Sequence, residues 1–327
     1  MNNLRNISLA IVGATGLVGR EVLKILKERN LQIKRLRLLA SEKSIDKSVI
    51  FKGEEYKVEL LNKDAFNDIE FAIFSAGKAI SRKYGLIAAK CGCVVIDNSN
   101  AFRMDNSVPL VIPEINIKDL REHNNIIANP NCSTIGLLLP IYPLYKRFGI
   151  EYIIVSTYQS MSGAGKTFLN KYYSEMQGHK EDDCPIYNNV IPQIDSFEKN
   201  GFTAEEMKMY LETRKILHDN EIKVNATCVR VPVYKGHGES CYVKFKEKAS
   251  INNIYKILNR SNGVKVVDDI ENFKYPTPNY VAGKNEVFIG RIRQSLIEKN
   301  AFNMWTVCDN IRKGAALNAV QILESLL

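Results

Sequence analysis

The chain is 327 residues long, 45% hydrophobic and 25% charged, with a formal net charge of +9. This is the composition of a soluble globular protein, and the length exceeds what one hydrophobic core ordinarily fills, so two domains are expected. The lysines and arginines are dispersed, and no basic helix, zinc-finger spacing or RNA-binding aromatic motif accompanies them, which argues against a nucleic-acid partner.

The N-terminal stretch MNNLRNISLAIVGATG holds one basic residue and a short apolar run closed by glycine. That run is too short for a secretory core or a membrane span, so a cytoplasmic chain without a membrane partner is expected. ISLAIV, residues 7 to 12, reads as a buried strand, GATGLVG as a glycine turn and REVLKILKERN as a helix. Gly13, Gly16 and Gly19 form G-x-x-G-x-x-G, a looser relative of the dinucleotide-binding fingerprint. Glycine there admits a tight turn and a close approach to pyrophosphate, which the helix N-terminus meets with N–H groups and the positive end of its dipole.

A second strand, KRLRLLA, ends at residue 40, where an NAD site usually places a carboxylate for the ribose hydroxyls. Here Ser41, Lys43, Ser44 and Lys47 offer hydroxyls and cations suited to the 2′-phosphate of NADP, with Glu42 as the opposing feature. The strand-like runs FAIFSAG, CVVIDNSN and NIIANPN alternate with helical stretches such as SRKYGLIAAK. Repeated βα units predict a doubly wound parallel sheet with ligands at the carboxyl ends of its strands. Ser75-Ala76-Gly77, Asp97-Asn98-Ser99 and Asn129-Pro130-Asn131-Cys132 each follow a strand and are expected to converge on one crevice.

The seven cysteines, at 91, 93, 132, 184, 228, 241 and 308, are odd in number and scattered, which argues for thiols and against a disulfide framework. Cys91 and Cys93 have C-x-C spacing and no partner pair or nearby histidine, so no metal site is expected. From about residue 150 the runs EYIIVSTYQ, VNATCVRVPV, ESCYVKFKE and VFIGRIRQS, with a helical stretch near 203 to 217, predict an α+β domain with a largely antiparallel sheet. GAGKT, ending at residue 167, imitates a phosphate-binding P-loop, but the glycine required five residues before Gly165 is Ser160. The final run NIRKGAALNAVQILESLL is amphipathic and is expected to pack back on the first domain.

GATGLVG (13–19), SAG (75–77), DNSNAFRMD (97–105), NPNCSTI (129–135), STYQSMSGAG (156–165), NVIPQID (189–195), EEMKM (205–209), CVRVPVYKGHGES (228–240), VFIGRIR and DNIRKGAALN follow one another in order. Together they resemble the aspartate-semialdehyde dehydrogenase family nearly end to end. The resemblance implies a Rossmann-like NADP-binding domain over 1–131, with a C-terminal helix at about 309–327 packing back on it. A catalytic and dimerisation domain over 132–308 would follow. It also implies NADPH-dependent reduction of L-4-aspartyl phosphate to L-aspartate 4-semialdehyde and phosphate, in the biosynthesis of lysine through diaminopimelate, threonine and methionine. A homodimer, or a dimer of dimers, goes with it.

Site residues follow by the same resemblance. Cys132 would be the nucleophile, His237 the acid/base group and Gln159 the substrate-orienting amide. Arg103 and Lys208 would hold the phosphate, Arg230 the α-carboxylate and Glu205 the α-ammonium. Gly13, Thr15, Gly16, Leu17, Val18, Ser41, Lys43, Ser44, Ser75, Ala76, Gly77, Ser162, Gly163, Pro192 and Asn310 would meet the cofactor. A thiolate is suited to attack on an acyl phosphate, and an imidazole near pKa 6.5 can exchange a proton near neutrality. Many relatives read Ser-x-Arg-Ser-x-Gly-Lys after the second strand, whereas Lys43 and Asp46 stand here at the arginine and glycine positions. This departure bears on the preference for NADPH over NADH. The rival family, N-acetyl-γ-glutamyl-phosphate reductase, usually has Asn-Pro-Gly-Cys-Tyr around its cysteine, so Asn131 and Ser133 favour the aspartyl substrate. A third reading is an inactive dinucleotide-binding interaction protein.

Overall fold

A computed structural model describes residues 6–179 and 183–327. The chain divides into two compact units, Met1–Pro130 with Ala315–Leu327, and Asn131–Gly314.

Among the described residues, the first unit holds a seven-stranded sheet. Its strands are β1 (Ile7–Val12), β2 (Ile33–Ala40), β3 (Ser48–Phe51), β4 (Glu54–Leu60), β5 (Phe71–Phe74), β6 (Val94–Asp97) and β7 (Ile126–Ala128). The order is β3-β4-β2-β1-β5-β6-β7, with every pairing parallel except β3 to β4. All six residues of β1 are buried, as a central strand covered on both faces requires. The chain leaves β1 on one side toward β2 and returns on the other at β5. The crevice for a ligand therefore opens where Gly13 and Ser75 follow β1 and β5. Gly13 has φ +85, and a Cβ there would stand 2.8 Å from the Ser75 carbonyl oxygen, so both conformation and space demand glycine.

The helix Leu17–Glu28 buries Val22, Leu23, Ile25 and Leu26, an i, i+3, i+4 stripe, into one core with Leu9 and Ile11 of β1. Val320, Ile322 and Leu323 from the helix Asn318–Glu324 enter the same core. Each such side chain contributes roughly 1.5–3 kcal/mol of burial, which explains why the last residues of the chain belong to this first unit.

The second unit carries β8 (Ile150–Gln159), β9 (Lys223–Arg230), β10 (His237–Phe245), β11 (Val264–Val266), β12 (Val287–Gln294) and β13 (Ala301–Cys308) in the order β11-β12-β13-β10-β8-β9. Its central pairings are antiparallel, while β8–β9 and β11–β12 are parallel. The helix Cys132–Phe148 packs its apolar side chains into the core of this sheet together with Met209 and Ile254. That helix runs unbroken through Pro140 and Pro143. An interior proline costs about 3 kcal/mol in an isolated helix; burial of Leu137, Leu138, Leu139, Ile141 and Leu144 outweighs that here. Register then gathers chemistry at one end of the sheet: Gln159 pairs with Arg230, and His237 with Cys308.

Candidate active site

Cys132 is the first residue of the helix Cys132–Phe148 and is half-buried. The residue before it closes the helix end: Asn131 Oδ1 accepts the N–H groups of Ser133 at 2.9 Å and Thr134 at 3.3 Å. The thiol thus sits at the positive end of a capped helix, where a thiolate is favoured. All seven cysteines are thiols. Burial pushes Cys93 up to about 12 and also raises Cys228, Cys241 and Cys308, which leaves those four unreactive.

Asn131 also links the cysteine to the substrate-binding candidates. Its backbone N–H donates to Glu212 Oε2 at 2.7 Å and its Nδ2 to Glu205 Oε1 at 2.9 Å. Gln159 Nε2 donates to the same Glu205 oxygen at 3.2 Å, and Lys208 Nζ to Glu205 Oε2 at 3.0 Å and Asp195 Oδ2 at 2.9 Å. Glu205 and Lys208 share one face of the helix Ala204–Leu217, whose start is fixed by a Thr203–Glu206 capping box. Burial raises the Glu205 carboxyl, but Lys208 and the Asn131 and Gln159 amides together outweigh it and leave the group ionised below its ordinary value. Burial lowers Lys208, and Glu205 with Asp195 more than restores it. Both Glu205 oxygens are therefore already engaged by protein groups.

Arg230 ends β9 and His237 begins β10, both buried. Arg230 Nη1 donates to the Ser160 carbonyl at 2.6 Å. Burial lowers the guanidinium, opposed by the charges of Glu205 and of the Cys132 sulfur, which lie within its electrostatic reach. His237 Nδ1 accepts the Ser160 backbone N–H at 3.0 Å. Its ring is held down to about 3 by burial first and then by Arg230, against Glu205 and the Gly236 carbonyl. Asn310 Oδ1 accepts from the Gly236 N–H at 2.9 Å, Ser160 Oγ at 3.1 Å and Ser162 Oγ at 3.3 Å, so two other segments converge on one amide. Its neighbour Asp309 is buried and accepts Lys235 Nζ at 2.8 Å and the Gly283 N–H at 2.7 Å. Gly163 lies in front of this cluster: a Cβ there would stand 3.3 Å from both Arg230 Nη1 and His237 Nε2. Pro192 is exposed and follows Ile191, which is bridged to Arg230 through their backbones.

In the first unit a cavity of about 670 Å³ opens at the switch point, lined by Gly13, Thr15, Gly16, Ser41, Lys43, Ser44, Ser75 and Ala76. Its size, glycine floor and hydroxyl and ammonium groups fit a dinucleotide. Thr15 Oγ1 donates to Ser44 Oγ at 3.4 Å, tying the glycine turn to the loop after β2. Glu42 lines the same cavity, as does Tyr84, which pattern reading did not single out. Leu17 and Val18 begin the following helix and Gly77 precedes the helical turn Lys78–Ile80; none of the three lines this cavity. Arg103 is buried and its Nη2 donates to the Asn98 carbonyl at 2.9 Å. Asn98 Oδ1 accepts from Asn129 at 2.6 Å, and Asn129 Oδ1 from Asn318 at 2.7 Å, a ladder that braces the ends of β6 and β7.

Sequence reading missed Ser160, Lys235, Asp309 and the capping role of Asn131. Only the last had a local signal, an Asn immediately before a helical run. Among the described residues no helix is long and apolar enough to cross a membrane.

Comparison with known proteins gives the chain a family. Residues 8–123 match the family described as "Semialdehyde dehydrogenase, NAD binding domain" and residues 141–313 that described as "Semialdehyde dehydrogenase, dimerisation domain". The aspartate-semialdehyde dehydrogenase of Bacillus subtilis is 46% identical, with 98% of each chain covered. That of Aquifex aeolicus is 47% identical, covering 98% of this chain and 97% of the other. The crystal structure of aspartate semialdehyde dehydrogenase II from Vibrio cholerae superposes with a TM-score of 0.94 at 42% identity, covering 98% of both chains. The same enzyme complexed with ASA superposes equally well.

Proposed function

The chain belongs to the aspartate-semialdehyde dehydrogenase family, and from that membership we propose NADPH-dependent reduction of L-4-aspartyl phosphate through a thioester on Cys132. The products are L-aspartate 4-semialdehyde and phosphate. The observation that carries this reading is Cys132 at a capped helix N-terminus, within the electrostatic reach of Arg230 and tied through Asn131 to Glu205.

In the first step the sulfur bonds to the acyl carbon, the carbon–oxygen bond to phosphate breaks, and phosphate leaves with the electron pair and the thiol proton. When bound, the nicotinamide supplies the hydride that reduces the thioester. Collapse of the resulting oxyanion releases the aldehyde and returns the thiolate. Arg230 is suited to the substrate α-carboxylate as a fork, Arg103 and Lys208 to its phosphate, and Glu205 to its ammonium. Gln159, held by Glu205 and by Thr157 Oγ1 at 3.2 Å, orients the acyl group. Ser41, Lys43 and Ser44 line the cavity, and their hydroxyl and ammonium groups would suit the 2′-phosphate of NADPH. The dimerisation-domain match supports a homodimer formed through the second unit.

The test is phosphate-dependent reduction of NADP⁺ by L-aspartate 4-semialdehyde, run beside N-acetylglutamate semialdehyde and beside NAD⁺. Turnover of the aspartyl substrate with NADP⁺ is expected at the higher kcat/KM. Turnover of the N-acetylglutamyl substrate alone overturns the substrate assignment, and a preference for NAD⁺ overturns the role of Lys43.

A further inference from the structure

The helix that begins at Cys132 carries only half of a capping box of its own. Asn131 Oδ1 accepts the Ser133 and Thr134 N–H groups, but the residue placed to reach back to the Asn131 N–H is Thr134. Its side chain is too short for that, and its buried Oγ1 has no hydrogen-bond partner among the described residues. The helix Ala204–Leu217, packed against it, has the complete box, with Glu206 Oε2 accepting the Thr203 N–H at 2.7 Å. For the Cys132 helix the missing carboxyl comes from that neighbour: Glu212 Oε2 accepts the Asn131 N–H at 2.7 Å.

Glu212 is 1% exposed, and a carboxyl so deeply buried is costly unless it is hydrogen-bonded. It stands seven residues after Glu205, two turns on along the same face, and helical side chains lean toward the helix N-terminus. Both carboxyls therefore converge on Asn131, Glu205 Oε1 taking its Nδ2 at 2.9 Å. The Asn131 carbonyl accepts the Ile135 N–H at 3.0 Å, so all four polar atoms of this residue are engaged. The chain passes from the first unit to the second between Pro130 and Asn131, and the proposed nucleophile follows directly on that crossing. What holds Asn131 thus fixes where Cys132 stands in the second unit.

We propose that Glu212 is a positioning residue for the reaction: by completing the Asn131 cap from the helix that also carries Glu205 and Lys208, it holds the Cys132 sulfur in register with the groups that bind substrate. Glu205 and Lys208 bind substrate on the aspartyl-phosphate reading, on which this role rests. The reach of the Glu212 side chain, and not its charge, then governs the rate. Misplacing a reacting group by about 1 Å can cost about 10²-fold.

The burst of NADPH from L-aspartate 4-semialdehyde and NADP⁺ without phosphate, followed by stopped flow, reads sulfur attack and hydride transfer together; steady-state turnover with phosphate gives kcat and KM. Glu212→Gln keeps an acceptor oxygen at the same reach, Glu212→Asp keeps the carboxyl but is one methylene short, and Glu212→Ala has neither. Burst rate and kcat should fall about 10- to 100-fold in the Asp and Ala variants and less than about threefold in Gln, with KM for the semialdehyde within about threefold of wild type throughout. Tyr145→Phe is the comparison for stability alone, because it cuts the bond from Tyr145 Oη to Asp219 Oδ2, remote from Cys132 in the last turn of the same helix, and should keep the wild-type burst. If Glu212→Ala does not fold, Asp against Gln carries the comparison. Equal losses in Gln and Asp, a loss in Gln with retention in Asp, or a rise in KM without a slower burst overturns the role. A wild-type enzyme with no burst overturns the aspartyl-phosphate reading and this role together, whereas a wild-type burst shared undiminished by every Glu212 variant overturns the role alone.

Discussion

Glu239 on β10 is a carboxyl that folding holds at a cost. It is buried, its Oε2 accepts only a long 3.4 Å bond from Thr306, and its Oε1 has no hydrogen-bond partner among the described residues. A Cβ at Gly136 would meet that oxygen at 2.9 Å, which places the carboxyl against the Cys132 helix one turn beyond the nucleophile. Burial, with the Glu205 charge adding to it, raises Glu239 well above the ordinary carboxylate value, while Thr306 pulls the other way. The unfolded chain releases this proton near pH ~4.3, whereas the folded chain keeps it, so above that point stability falls with rising pH by up to about 1.4 kcal/mol per unit until the folded group ionises. Glu239→Gln removes that dependence. Thermal denaturation should show the variant gaining on the wild type more at pH 8 than at pH 5; an equal difference at both values would place the carboxyl in its ionised form.

At the scale of elements, the Cys132 helix depends on its first cap more than on its intrinsic propensity. Asn131→Ala removes two accepted N–H bonds and the tether to Glu205. A lost cap costs about 1 kcal/mol, with a further loss because Glu205 Oε1 gives up a charge-assisted partner in a buried setting. Urea denaturation should register a loss of about 1–3 kcal/mol, and kcat should fall because Glu205 also holds Gln159. An unchanged midpoint would show that the cap is replaceable. The elements themselves were largely legible. ISLAIV is β1 residue for residue, since a strand buried on both faces is a continuous apolar run, and the helix expected near 203 to 217 spans Ala204–Leu217. β13 escaped notice because AFNMWTVC lacks a clean alternation, six of its eight positions being buried. Strands β3 and β11 are only four and three residues long, and β4 carries four charged side chains in seven, so none of them shows a pattern long enough to stand out.

For the molecule as a whole, the chemistry-bearing residue types were readable where a motif compresses them into one segment, as in NPNCSTI or GATGLVG. What stayed hidden is set by register between distant segments. Ser160 and His237 are 77 positions apart in sequence, and Lys235 and Asp309 meet only because β10 pairs with β13. No local pattern marks a backbone N–H that meets a distant imidazole. The two units divide the task that the family performs: one builds a dinucleotide cavity from loops at a switch point, the other a thiol at a helix end facing a sheet terminus.

The central claim is that these parts act through a thioester on Cys132, and withholding phosphate isolates it. Mixed with L-aspartate 4-semialdehyde and NADP⁺ alone, the enzyme should release one NADPH per active site in a burst and then stall, leaving an aspartyl adduct on the Cys132 peptide, while Cys132→Ala gives neither. A full burst from Cys132→Ala, or an adduct on Cys91 or Cys184, would contradict the account.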